Sequence, residues 1–180
     1  MAKVAFIGLG VMGYPMAGYL KTKGGHDVTV YNRTTAKAEK WAEEFGGLFA
    51  KTPGEAATGA DLIFCCVGND NDLREVMIGD NGIFNGLKEG AIIVDNTTAS
   101  AGVARELHEI AQEKGCGFID APVSGGQAGA ENGVLTVMCG GDQEAYAKAE
   151  PVIMNFARAC RLMGPSGAGQ LTKMVNQICI

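Results

Sequence analysis

The sequence predicts an α/β fold with a doubly wound, mostly parallel sheet, and three observations carry that prediction. Short apolar runs alternate with segments of helical period at the spacing of successive strand–helix–strand units. Glycines fall between those segments, where turns are needed, with no repeating period. The chain also opens on a strand, a Gly-x-Gly-x-x-Gly turn and a helix. At 180 residues it is long enough for one domain with a sizeable core, or one domain plus a fragment.

The opening stretch, KVAFIGLGVMGYPMAGYL at residues 3–20, organises the rest. Val4 to Ile7 read as a short buried strand, and residues 12–20 have helical periodicity. Between them stand Gly8, Gly10 and Gly13. The first glycine serves the tight turn, the second lets backbone approach a pyrophosphate, and the third lets helix pack on strand. A helix starting there aims its free N–H groups and the positive end of its dipole at such a ligand. A second strand, residues 26–32, arrives on schedule, which is the context the motif requires. The expectation is a bound nicotinamide dinucleotide.

The remaining elements come in order. DVTVYN at 27–32 is the second strand, and Thr34 is placed to cap a helix running through Phe45. Gly46 and Gly47 end that helix, residues 48–50 make a short third strand, and Pro53 opens a brief helix. DLIFCCV at 61–67 is a fourth, fully buried strand. Residues 69–86 read as turn-rich with a helical piece over 73–77. AIIVD at 91–95, an amphipathic helix over 100–114 and a strand over 117–120 complete the alternation. Residues 122–133 read as a glycine-rich loop, 134–139 as a half-exposed strand, 142–156 as a helix interrupted by Pro151, and 158–163 as a strand. This later part is expected to add a reversed hairpin or edge strands. A helical pattern then runs from Gly169 to Ile180 without a capping glycine, which reads as the start of a truncated interdomain helix.

Composition narrows the function. A formal net charge of −5 argues against a general nucleic-acid or anionic-membrane surface. No apolar run approaches the ~20 residues of a membrane span, and the opening strand leaves no place for a signal peptide. Cys65, Cys66, Cys116, Cys139, Cys160 and Cys179 lie mostly in apolar runs with no Cys-x-x-Cys, and neither His26 nor His108 stands at ligand spacing. The cysteines therefore read as small buried hydrophobes in a reducing cytoplasm, with no metal site expected.

The end of the second strand discriminates between cofactors. An acid there accepts from the ribose 2′-hydroxyl of NAD, whereas this chain has Tyr31-Asn32-Arg33-Thr34. Arg33 can pair with a 2′-phosphate, and Asn32 and Thr34 can donate hydrogen bonds to it. NADP is the expected cofactor, with NAD as the alternative.

Three motifs in order, FIGLGVMGYPMAGYL, DAPVSGG at 120–126 and GPSGAGQLTKMVNQ at 164–177, resemble the β-hydroxyacid dehydrogenases over all 180 residues. That family includes 3-hydroxyisobutyrate dehydrogenase, tartronate semialdehyde reductase and the glyoxylate and succinic semialdehyde reductases. The resemblance implies a Rossmann-like cofactor domain at residues 1–163. Residues 164–180 would begin the interdomain helix, and complete members continue into an all-helical C-terminal domain.

The resemblance also implies roles for particular residues. Gly8, Gly10, Val11, Met12 and Gly13 line the pyrophosphate, while Val67, Gly68 and Thr98 lie along the cofactor toward the nicotinamide. Ser124, Gly125 and Gly126 form a loop for the substrate carboxylate. Lys173 matches the catalytic lysine, with Asn176 beside it on the same helix face. The implied reaction is hydride transfer between NADP(H) and a small β-hydroxyacid or aldehyde acid, with a homo-oligomer expected for the full-length protein. Two readings compete: a decarboxylating enzyme like 6-phosphogluconate dehydrogenase, and a non-catalytic cofactor-binding module. The presence of Lys173 and Asn176 speaks against the second, and Lys173 also against an imine reductase.

Overall fold

The computed structural model describes residues 1–179; Ile180, the last residue of the expected interdomain helix, lies outside them. The first strands and helices are β1 (Lys3–Ile7), α1 (Gly13–Thr22), β2 (Asp27–Tyr31), α2 (Thr35–Phe45), β3 (Leu48–Phe49), α3 (Pro53–Ala57) and β4 (Leu62–Cys65). They are followed by α4 (Asp70–Ile78), β5 (Ile92–Asp95), α5 (Ala101–Glu113), β6 (Gly117–Asp120) and β7 (Val123–Ser124). The last are α6 (Gly126–Glu131), β8 (Leu135–Gly141), α7 (Gln143–Ile153), β9 (Ala157–Gly164) and α8 (Ala168–Ile178).

One sheet takes all the strands in the order β3-β2-β1-β4-β5-β6-β8-β7, with β9 on the remaining side of β8. From β3 to β6 every pairing is parallel, the order of a dinucleotide-binding doubly wound sheet. The expected reversal is present, because β8 runs antiparallel to β6 and β7, and β9 returns parallel to β8 across α7.

Strand alternation divides the core between the two faces of the sheet. Val4 and Phe6 of β1 join Leu20, Val30, Trp41, Phe64 and Phe156 on one side. Ala5 and Ile7 join Ile63, Leu73, Ile93, Leu107 and Phe118 on the other. Both faces are covered, as parallel strands require. The rings of Phe6 and Phe64 stack with centroids 6.0 Å apart, and Phe156 meets Phe64 edge-on at 5.8 Å. Each such ring contributes on the order of 2 kcal/mol by burial, so this aromatic column fixes β1 against β4, the two strands whose ends hold the site.

The local readings depart from the structure in four places, the first being β8, which is expected to be half-exposed and is buried at every position but Thr136. Residues 122–133 are not a plain loop, since they contain β7 and α6. The helix forms despite its glycines because it packs under α1, where the Tyr19 hydroxyl donates to the Glu131 carbonyl at 2.8 Å. Helix α4 begins earlier than the apolar residues suggest, because the Asn69 side chain caps it and accepts from the N–H groups of Asn71 and Asp72 at 2.9 and 3.0 Å. Finally, α7 runs unbroken through Pro151, which lies exposed in its last turn. No described helix is long and apolar enough to cross a membrane.

Candidate cofactor and substrate site

The strand order reverses between β1 and β4, and a cleft of about 610 Å³ opens at their carboxyl ends. It is lined by Gly8, Gly10, Val11, Met12 and Gly13 after β1, by Asn32, Arg33 and Thr34 after β2, and by Val67 and Gly68 after β4. Thr98 is the one expected cofactor residue outside that lining; it stands exposed on the loop between β5 and α5.

The three glycines of the motif do different work. Gly8 has φ +97°, and a Cβ there would collide with the Cys66 carbonyl. A Cβ at Gly13 would collide with the Gly8 carbonyl and come within 2.9 Å of the Phe6 ring. Those two serve the fold. At Gly10 no atom lies within 4 Å of an added Cβ, so the space that glycine leaves open belongs to the cleft. No side chain caps the start of α1, whose dipole end faces the same space. Together these features fit a pyrophosphate.

The glycine turn is braced from β2. Gly8 N–H donates to the Tyr31 carbonyl at 2.9 Å, and Leu9 N–H donates to Asn32 Oδ1 at 3.0 Å. Asn32 Nδ2 in turn donates to the Thr34 carbonyl at 3.1 Å. Asn32 therefore lines the cleft chiefly as a brace, with its amide engaged at both ends. Thr34 occupies the N-cap position of α2, but its hydroxyl makes no capping bond. Arg33, with its side chain 89% exposed, lies across the mouth of the cleft, 3.7 Å from the Asp72 carboxylate. A pair this exposed is worth little by itself and yields readily to a better anion. Lys37 also lines the cleft from the first turn of α2.

At the ends of β5 and β6 lies a buried polar layer that no local sequence pattern assembles. Asp120, at the end of β6, accepts from Gly167 N–H through Oδ1 at 2.7 Å and from Gln170 N–H through Oδ2 at 2.9 Å. Its carboxylate thus caps the start of α8, the helix bearing Lys173 and Asn176. Burial pushes the Asp120 carboxyl above its usual range, opposed by those N–H groups. Gln170, fully buried, donates to the Thr97 carbonyl at 2.7 Å and accepts from Ala99 N–H at 3.1 Å.

Asp95 accepts from Thr97 N–H at 3.0 Å, while its other oxygen has no hydrogen-bond partner among the described residues. Burial, with Asp120 and Asp70 nearby and the Thr97 bonds opposing, pushes Asp95 up to about 7. Burial likewise pushes the Cys66 thiol up to about 12, which leaves it un-ionised and a poor nucleophile at neutral pH.

Helix α8 meets the end of β7 where Asn176 Nδ2 donates to Ser124 Oγ at 3.3 Å. Gly125, φ +136°, and Gly126, φ +60°, turn the chain there into α6 in a conformation that requires glycine. Lys173 is half-buried on α8, one turn before Asn176. The sequence names each of these residues but not the meeting of Asp120 with Gly167, 47 positions apart, and Gln170 carries no signature of its role.

A sequence model of the family described as the NAD binding domain of 6-phosphogluconate dehydrogenase matches residues 3–164. An uncharacterized oxidoreductase of Shewanella frigidimarina is 64% identical over the whole chain, which spans 62% of that relative. An NAD-dependent L-serine dehydrogenase of Pseudomonas aeruginosa is 36% identical over 98% of the chain and 58% of its own length. A solved structure of Mycobacterium tuberculosis 3-hydroxyisobutyrate dehydrogenase with L-serine superposes with a TM-score of 0.91 at 31% identity, over 99% of this chain and 60% of that one. The chain thus covers less than two thirds of the relatives it matches. With the glycine turn, the switch-point cleft and the matched span in agreement, the chain belongs to the family described as the NAD binding domain of 6-phosphogluconate dehydrogenase.

Proposed function

We propose that this chain binds NADP(H), and that the complete protein transfers a hydride between that cofactor and a small β-hydroxyacid or aldehyde acid. The observation that supports the reading is the Asn176–Ser124 contact at 3.3 Å, which joins α8 to the end of β7. When bound, the nicotinamide supplies or accepts the hydride. Ser124, the glycine backbone at 125–126 and Asn176 hold the substrate carboxylate. Lys173 gives the carbinol oxygen its proton in reduction and stabilises the charge that develops there. Asp120 and Gln170 hold α8 so that this ammonium keeps its place.

For the cofactor, the end of β2 has no acid, while Arg33, Thr34 and Lys37 line the cleft at that end. Arg33 leaves its exposed partner Asp72 for a 2′-phosphate, the better anion. In the same reading residues 1–163 are the cofactor domain, α8 opens the interdomain helix, and the full-length protein is a cytoplasmic homo-oligomer. The test is turnover by the full-length protein of short hydroxyacids, glyoxylate and succinic and tartronate semialdehydes with each cofactor. Reduction of a short aldehyde acid with NADPH favoured over NADH is the expected result. No turnover of any of them with either cofactor overturns the reading.

A further inference from the structure

The buried polar side chains among the described residues, Asp95, Asn96, Thr97, Asp120 and Gln170, gather at the ends of β5 and β6 and the start of α8. Thr97 is the node, because each of its polar groups is tied to a different element. Its N–H donates to Asp95 on β5, its Oγ1 accepts from Val67 N–H at 3.1 Å, and its carbonyl accepts from Gln170 Nε2 on α8 at 2.7 Å. Val67 is part of the wall of the cofactor cleft. One residue therefore joins that wall to the helix that bears Lys173.

Helix α8 is built to respond to such a tie. Its first turn is fixed by Asp120 and Gln170, whereas Leu171, Met174, Val175 and Ile178 along its length are exposed. A helix with one face exposed opens more readily than one packed on every side. The bonds at its start therefore contribute to its order.

We propose that Thr97 and Gln170 act as positioning residues linking the cofactor cleft to α8, so that a cofactor bound against Val67 and Gly68 orders the helix that presents Lys173. The inference rests on the cofactor reading above. A ligand packed on residues 67–68 removes freedom from that loop, and the Val67–Thr97–Gln170 bonds pass the restriction on; the link therefore acts through ordering, without a change of shape. Losing one buried hydrogen bond of ordinary strength shifts a local opening equilibrium by about two- to tenfold.

The test is amide hydrogen exchange over residues 171–178, with and without saturating NADPH or NADH, with binding followed separately by fluorescence. In the unaltered chain, cofactor is expected to slow exchange there by about two- to tenfold. Thr97→Ser, which keeps the acceptor for Val67, is expected to retain the effect. Thr97→Val, which removes that acceptor, and Gln170→Leu, which cuts the tie to α8, are each expected to lose most of it at saturating cofactor. Bound cofactor with unchanged α8 exchange in the unaltered chain overturns the inference and leaves the cofactor reading standing. The same protection in Thr97→Val as in the unaltered chain overturns it as well. A chain that binds neither dinucleotide overturns the cofactor reading and this inference with it.

Discussion

Asp95→Asn isolates the effect of placing a carboxylate in the sheet with one oxygen unpartnered. Asp95 is fully buried, its ordinary value of 3.8 is pushed up to about 7, and Oδ2 has no partner among the described residues. Because the raised value belongs to the folded state, that state holds a proton which the unfolded chain releases between about pH 4 and 7. The unfolded state binds fewer protons across this window, so the contribution of Asp95 to stability falls as pH rises and levels off above about 7. A shift of roughly three pH units corresponds to about 4 kcal/mol. Asparagine keeps the acceptor for Thr97 N–H and cannot ionise. The variant should match the parent only at about pH 4 and below, and exceed it by about 2–4 kcal/mol at pH 8. Urea unfolding of both proteins from pH 4 to 8 measures this, and the difference curve cancels the carboxylates common to them. Parallel curves would show that Asp95 titrates in the ordinary range and that its second oxygen is solvated.

Three further outcomes concern the cleft and α8. Arg33→Ala should weaken NADPH about ten- to a hundredfold and leave NADH nearly unchanged, a charge-assisted phosphate contact being worth ~1.5–3 kcal/mol; equal losses in fluorescence titrations would remove Arg33 from cofactor choice. Gly10→Val should abolish dinucleotide binding with little change in urea midpoint, whereas Gly13→Ala should lower the midpoint, because only the second substitution collides with the fold; normal NADPH binding by Gly10→Val would leave the motif a plain turn. Lys173→Met in the full-length protein should lower kcat ~10²–10⁴-fold with cofactor affinity little changed, and near-normal kcat would exclude the lysine from proton transfer.

What the sequence revealed and what it concealed divide along sequence separation. The strand, glycine turn and helix of residues 3–20 are legible because every contact that defines them is local or recurs in each strand–helix–strand unit. The reversal at β8 was open in sequence because its register depends on pairs such as Asp120 with Gly140, which no local pattern fixes. Helix α6 was hidden by its glycines, which predict a loop until α1 is laid over it. Of the cleft lining, Gly10 and Arg33 stand out in the sequence by type and spacing. Asn32 does not: a side chain read as a ligand donor turns out to brace the glycine turn. Thr97 and Gln170 carry no signature, since a threonine after a strand and a glutamine in a helix are ordinary until the bonds between them are seen.

The carboxylate of Asp120 under α8 bears on where this unit can be cut. The family resemblance implies a cofactor domain ending at residue 163, just before the glycine turn into the helix. Expression of residues 1–163 would leave out Gly167 and Gln170, and with them the donors that the structure shows on both Asp120 oxygens. A buried carboxylate deprived of its partners costs several kcal/mol, a large part of the whole stability of a domain this size. The Thr97 carbonyl and Ala99 N–H would lose Gln170 at the same stroke. The smallest stretch that keeps its own interior satisfied therefore extends through Gln170. The first turn of α8 belongs to the interior of the sheet, and the autonomous folding unit reaches past the glycine turn at which a domain boundary would otherwise be drawn.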